Sequence, residues 1–179
     1  MYEIIKLFYG TNGGTGKLAV GHYSNEAADA QLYVPLGDYS GNYTSLESAV
    51  NSMPFIGGRT NLQRATDSVI HDINNRQDLT IDNTAILVIS DGQVNEGVKP
   101  GATVFQQLLT ITKKIFAILV IPPNGFYESE RMDIQAVLNN QTASLNNSVV
   151  AQGYFQLKVN ANTSTSDNDV WAANKLCGF

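Results

Sequence analysis

Residues Ala85 to Ile89 form an unbroken apolar run that stops at Ser90-Asp91-Gly92. A run this short, closed by a turn signal, predicts a strand buried on both faces, as in a parallel sheet covered by helices. Ile115 to Ile121 repeats the pattern and is closed by Pro122-Pro123-Asn124-Gly125. Ahead of the first run the period changes: Leu62, Ala65, Val69, Ile70 and Ile73 recur at helical spacing after the loop Gly57-Gly58-Arg59-Thr60-Asn61. Thr60 or Asn61 stands at the amino end of that helix, either as its cap or with an oxygen free for a site. Leu46, Ala49, Val50 and Met53 predict another helix over 45–53, capped by Thr44 or Ser45.

The rest of the chain continues the alternation. Lys17 to Ser24 and Ala30 to Pro35 read as two short strands forming a hairpin at a sheet edge. Val104 to Thr112 and Ser129 to Leu138 read as helices, with a last strand in Val149 to Val159, around Tyr154 to Leu157. A polar connector, Asn160 to Asn168, then leads to a terminal helix over Ser166 to Leu176. Tyr2 to Tyr9 satisfies two periods. Ile4, Ile5, Leu7 and Phe8 share a helical face, while Tyr2, Ile4 and Phe8 also fit alternation; a helix end closed by Gly10 is preferred. Strands alternating with helices predict an α/β architecture, a Rossmann-like, mainly parallel sheet flanked by helices, in a single domain over 1–179.

Composition narrows the function classes. The chain has 179 residues, 43% hydrophobic and 15% charged, enough for one packed core. Its net charge of −5, with Lys113-Lys114 as the longest basic run, argues against nucleic-acid binding, because phosphate neutralisation needs clustered cations. No stretch reaches the roughly 18 apolar residues of a membrane span, and Met1 to Ile4 lacks the features of a signal peptide. Four glycosylation sequons, at Asn42, Asn140, Asn146 and Asn162, suit a secreted protein, and the single Cys177 would need a disulfide partner outside these residues.

The loop Gly57-Gly58-Arg59-Thr60-Asn61-Leu62, followed about thirty residues later by Ile89-Ser90-Asp91-Gly92 in this order of elements, resembles the von Willebrand factor A domain. The resemblance spans nearly the whole chain and implies a three-layer α/β/α fold used in extracellular binding or adhesion. It further implies a Mg²⁺ or Mn²⁺ site at the top of the sheet. In that family the ion is held by an Asp-x-Ser-x-Ser loop, a threonine and an aspartate; Thr60 and Asp91 fall on the last two positions. Oxygen ligands of this kind suit a hard divalent ion.

The first motif has no counterpart, because Asp-x-Ser-x-Ser occurs nowhere in the chain. Asp38-Tyr39-Ser40-Gly41-Asn42 is the nearest string, but it follows the second strand signal. The resemblance instead aligns Tyr2 to Tyr9 with the end of the family's first helix, so the expectation is a domain shortened at its amino end, without the metal loop and the strand carrying it. Cys177 fits, since some family members join a cysteine ahead of that strand to one at the domain's end. A sheet without its middle strand must be filled by Tyr2 to Tyr9 as a strand or split in two. Two ligands give too few oxygens for tight ion binding, so metal binding is expected to be weak or absent.

Two glycine-rich patterns compete with this reading. Gly10-Thr11-Asn12-Gly13-Gly14-Thr15-Gly16-Lys17 looks like a phosphate loop, but Thr11 and Leu18 replace the required glycine and hydroxyl residue. Gly14-Thr15-Gly16-Lys17-Leu18-Ala19 loosely matches a dinucleotide fingerprint, yet strand signals follow it. His22 and His71 have no nucleophile motif beside them, and His71-Asp72 reads as a solvated helix face. The expectation is a non-enzymatic module that binds a protein, matrix or cell-surface ligand, or other domains of a larger protein, through variable loops such as Gly37 to Thr44 and Pro122 to Ser129. A nucleotide- or phosphate-binding protein using Gly10 to Gly16, or a structural remnant without ligand, are the alternatives.

Overall fold

The structure, a computed structural model, describes residues 2–11, 16–24, 31–54, 59–90, 100–112, 114–120, 133–134, 136–138 and 148–151. Tyr2–Ile5 forms a short helix, α1, that continues as a π-helical stretch over Lys6–Thr11. The helical option for Tyr2 to Tyr9 is therefore the one adopted, and it runs past Gly10. Ile4, Ile5, Phe8 and Tyr9 are buried, and the rings of Phe8 and Tyr9 meet edge to face at 4.8 Å.

Strands β1 (Lys17–His22) and β2 (Gln31–Asp38) pair antiparallel, as the predicted hairpin requires. β2 runs beyond Pro35 to Asp38. Proline has no amide to donate, which an outer strand tolerates. The ladder is irregular on both sides of Val20, which pairs with Val34.

Helix α2 (Tyr43–Asn51) begins earlier than its apolar spacing predicts. The cap is Asn42 rather than Thr44 or Ser45. Thr44 Oγ1 and Ser45 Oγ instead donate back to the Asn42 side chain and carbonyl, each at 2.9 Å. Helix α3 (Leu62–Asn74) matches its predicted stripe: Leu62 and Ala65 are buried, and Val69, Ile70 and Ile73 pack against the core. Helix α4 (Gly101–Leu108) starts at Pro100, ahead of the apolar positions that revealed it, and ends in turns through Ile111.

The two apolar runs become β3 (Ala85–Ser90) and β4 (Lys114–Val120), paired parallel in register from Ala85↔Lys114 to Ser90↔Leu119. β5 (Ser148–Ala151) adds to β4, also parallel. It begins ahead of the expected strand centre at 154–157, which lies outside the described residues. Residues 133–134 and 136–138 are helical, within the predicted 129–138 helix; the terminal helix at 166–176 lies outside the described residues.

Parallel strands joined through helices make this an α/β structure. Among the described residues the strands form two sheets, β1-β2 and β3-β4-β5. Each sheet has its own apolar cluster. Leu62, Val104, Phe105, Leu108, Ile111, Ile115, Ala117, Ile134 and Leu138 form one around α3, α4 and β4; Ile5, Phe8, Tyr9, Val20, Val34 and Leu46 form the other.

Candidate functional site

The sequence places the functional edge at the carboxyl end of β3, beside the amino end of α3. At α3 the capping question is settled by one bond: the Asn61 side-chain oxygen accepts from the Arg64 backbone N–H at 3.0 Å. Asn61 thus takes the cap, and Thr60 stands just outside the first turn, half-buried and engaged in an interaction of its own. α3 and β3 are joined through residues 75–84 and line the same cavity.

Ser90 closes β3 and is buried. Asp91, the other expected metal ligand, lies outside the described residues, as do Gly57 and Gly58, the sequons at Asn140, Asn146 and Asn162, Cys177 and the Pro122 to Ser129 loop. Among the described residues no three His, Cys, Asp or Glu side chains converge as a metal-binding group. Asp38-Tyr39-Ser40-Gly41-Asn42 is a turn: the Asp38 carboxylate accepts from the Ser40 backbone N–H at 2.9 Å, which holds its pKa below the usual carboxylate value. Asn42 is exposed, with its side-chain oxygen accepting from Thr44.

The glycine-rich segment is positioned differently from a phosphate loop. It joins a π-helical stretch to β1, whereas a phosphate loop leaves a strand and enters a helix. The Tyr9 hydroxyl donates to the Gly16 carbonyl at 2.8 Å, and burial raises the Tyr9 pKa. Lys17, which a phosphate loop would aim at its ligand, instead lies in β1 and forms an ion pair with Asp78 at 2.8 Å. That bond is the main cause of Asp78's lowered pKa. A carboxylate whose folded pKa lies below its unfolded value stabilises above about pH 3.9 and loses that contribution as pH falls through the folded pKa. Both side chains are at least half exposed, so the pair is screened. Lys17→Ala is expected to leave the melting temperature near pH 7 almost unchanged and to flatten its decline below about pH 4; calorimetry from pH 2 to 7 reads both. A large loss at neutral pH would show that Lys17 does more than hold Asp78.

His71 is exposed and its Nε2 meets the Asn75 amide nitrogen at 2.9 Å. The feature that sequence reasoning missed is a cavity of about 590 Å³ bounded by α1, β1, α3 and β3. Ile4, Phe8, Val20, Val69 and Leu87 are among the residues that make it apolar. His22 also lines it, and its Nε2 is buried without a hydrogen-bond partner. The only trace of it in the sequence is the consecutive apolar residues of β1 and β3, which predict burial on both faces without saying against what.

No family model matches the chain, and no curated protein matches it significantly. The solved structures similar in fold include two from Bacteroides species. One is the conserved hypothetical protein BatB from Bacteroides thetaiotaomicron, with a TM-score of 0.58 and 14% identity over 98% of this chain and 84% of that one. The other is an aerotolerance-related membrane protein from Bacteroides fragilis NCTC 9343 carrying multiple mutations to serine, with a TM-score of 0.55 and 16% identity over 99% of this chain and 86% of that one. At such identities the likeness concerns the fold. No helix among the described residues is long and apolar enough to cross a membrane.

Proposed function

We propose that this chain is a non-enzymatic binding module of the von Willebrand A type, with a three-layer α/β/α plan, whose ligand surface is the end of the fold carrying Thr60, Ser90 and Asp91. The observation that carries the reading is the parallel β3–β4 pair, with β3 running out at Ser90 after an α3 whose start is capped by Asn61. Ligands of open α/β sheets gather outside the carboxyl ends of the strands. A threonine before a helix start and an aspartate after a strand end are oxygen donors suited to Mg²⁺ or Mn²⁺. Two such donors leave most of the coordination shell to water, so the site is degenerate and binding of the ion weak or absent. Recognition then rests on the surrounding loops, with a protein, matrix or cell-surface ligand as partner. The sequons, Asn42 on an exposed turn among them, support an extracellular setting.

Thermal unfolding with millimolar Mg²⁺ or Mn²⁺ against chelator tests the ion directly. A dissociation constant at or above the millimolar range limits the gain to about 0.4 kcal/mol, the value when ligand equals Kd, and Asp91→Ala should change that little. A gain near 2.7 kcal/mol, as at a hundredfold excess over Kd, that vanishes in Asp91→Ala would show a complete metal site instead. Solid-phase binding to a panel of matrix proteins, with Mn²⁺ and with chelator, tests the module. Retention that survives chelation is expected; no retention in either condition would overturn the adhesion reading.

A further inference from the structure

The turn between β2 and α2 brings an aromatic ring beside a sequon. The Asn42 backbone N–H donates to the Tyr39 carbonyl at 3.0 Å, closing a turn with Ser40 and Gly41 at its centre. Such a turn holds its first and last Cα atoms within about 7 Å, so Tyr39 stands next to Asn42. The ring itself is fixed. Its hydroxyl donates to the Pro35 carbonyl at 2.7 Å, and the ring lies against Gly37, where a Cβ would come within 3.3 Å of it. Tyr39 is only half-buried, so part of the ring faces solvent. Asn42 is exposed, and the space beside Gly41 is open: a Cβ there would meet nothing within 4 Å. The two ends of the Asn42 amide differ. Oδ1 accepts from Thr44 Oγ1 at 2.9 Å, while Nδ2 makes no hydrogen bond among the described residues. A group attached to Nδ2 therefore breaks no bond of the turn and leaves the Thr44 contact in place.

We propose that Asn42 carries an N-linked oligosaccharide whose first N-acetylglucosamine lies on the Tyr39 ring, which makes the sugar part of the corner between β2 and α2. The inference rests on the extracellular setting proposed above. The transfer joins Asn42 Nδ2 to the anomeric carbon of an oligosaccharide donor carried on a polyprenyl pyrophosphate. The bond from that carbon to the pyrophosphate oxygen breaks, the pyrophosphate leaves with the electron pair, and Nδ2 gives up one proton. A pyranose ring presents C–H bonds on one face, and their partial positive charge suits the negative face of an aromatic ring. Two features favour contact over a glycan that points into solvent. The Tyr39 ring is held by its bond to Pro35 before any sugar arrives, so little side-chain freedom is lost on contact. Asn42 is the cap residue of α2 but makes no side-chain cap bond, so a sugar that restrains Asn42 also restrains the first turn of the helix.

The whole chain, led by a cleavable export signal, is produced in a glycosylating eukaryotic host and in a bacterial host that adds no glycan. Glycopeptide mass spectrometry should find Asn42 occupied in the first product. Asn140→Gln, Asn146→Gln and Asn162→Gln then leave Asn42 as the one sequon, and the glycan is trimmed to a single N-acetylglucosamine. Amides of Tyr43 to Leu46 should exchange about two- to tenfold more slowly than in the bacterial product, the gain of one aromatic contact. In the NMR spectrum, sugar protons should move upfield in the ring current of Tyr39. Tyr39→Phe keeps the ring and should keep both signals; Tyr39→Leu should lose both. An empty Asn42 beside an occupied Asn140, Asn146 or Asn162 would overturn the site and leave the extracellular reading standing. No glycan at any of the four would overturn both. An occupied Asn42 with neither protection nor upfield shift in the chain that keeps Tyr39 would overturn the contact, whether or not the leucine variant folds.

Discussion

Phe105→Ala is expected to cost about 3–5 kcal/mol in denaturant unfolding, the largest effect of any single substitution in the described residues. Phe105 is 0% exposed and lies in the middle of α4, inside the cluster that includes Leu62, Leu108, Ile115, Ile134 and Leu138. These residues come from α3, α4, β4 and the helical residues 134 and 138, so the ring packs in a cluster drawn from four parts of the chain. Truncation loses the transfer energy of the ring and leaves a hole that four separate elements would have to close. Domains are stable by about 5–15 kcal/mol in total, so the variant should approach the edge of folding. A loss below about 1 kcal/mol would mean that α4 does not seat on β4 in solution.

The parts of this fold that were legible in the sequence are those in which one strong local period decides. α3 shows its stripe, and β3 and β4 show theirs, because core-facing positions there are apolar almost without interruption. Boundaries were lost where polar or small residues carry the element. The first turn of α4 is Gly101-Ala102-Thr103, which has no apolar signature, and Pro100 fixes its start. At α2 the hydroxyls of Thr44 and Ser45 look like caps, but Asn42 accepts from both and moves the start of the helix upstream. β2 runs past Pro35 to Asp38, because the rule that proline ends a strand is relaxed on an outer strand. The π-helical stretch has no period that apolar spacing can reveal.

The candidate site was legible only in outline. A threonine before a helix and an aspartate after an apolar strand can be read from local sequence. Whether Thr60 or Asn61 takes the cap is a competition between neighbours that the Arg64 amide decides. Lys17 shows the opposite case: a lysine after glycines suggests a phosphate, and only the fold brings Asp78 to it from 61 residues away. The cavity lined by α1, β1, α3 and β3 is a relation between distant segments, so the sequence does not give its size or how apolar it is.

Thr112→Val is the second large effect, expected to cost about 1–3 kcal/mol although it replaces one side chain by another of nearly equal shape. Thr112 is 0% exposed; its hydroxyl donates to the Thr84 carbonyl and accepts from the Lys114 backbone N–H at 3.0 Å. It thereby fastens the residue before β3 to the residue that opens β4. Apolar patterning cannot do this. β3 and β4 are apolar along nearly their whole length, so shifting one past the other by a residue exposes no polar side chain and meets little hydrophobic penalty. The hydroxyl of Thr112 holds the Ala85↔Lys114 pair from which the remaining register follows. Thr112→Ser keeps that clip and loses one buried methyl, worth about 0.8 kcal/mol. Serine should therefore be the milder change, and in valine the amides of β3 and β4 should lose exchange protection together, as a slipped ladder requires. If valine instead proves milder than serine, packing rather than the hydroxyl holds this corner, and the register of the parallel pair must be set by the turns that lead into it.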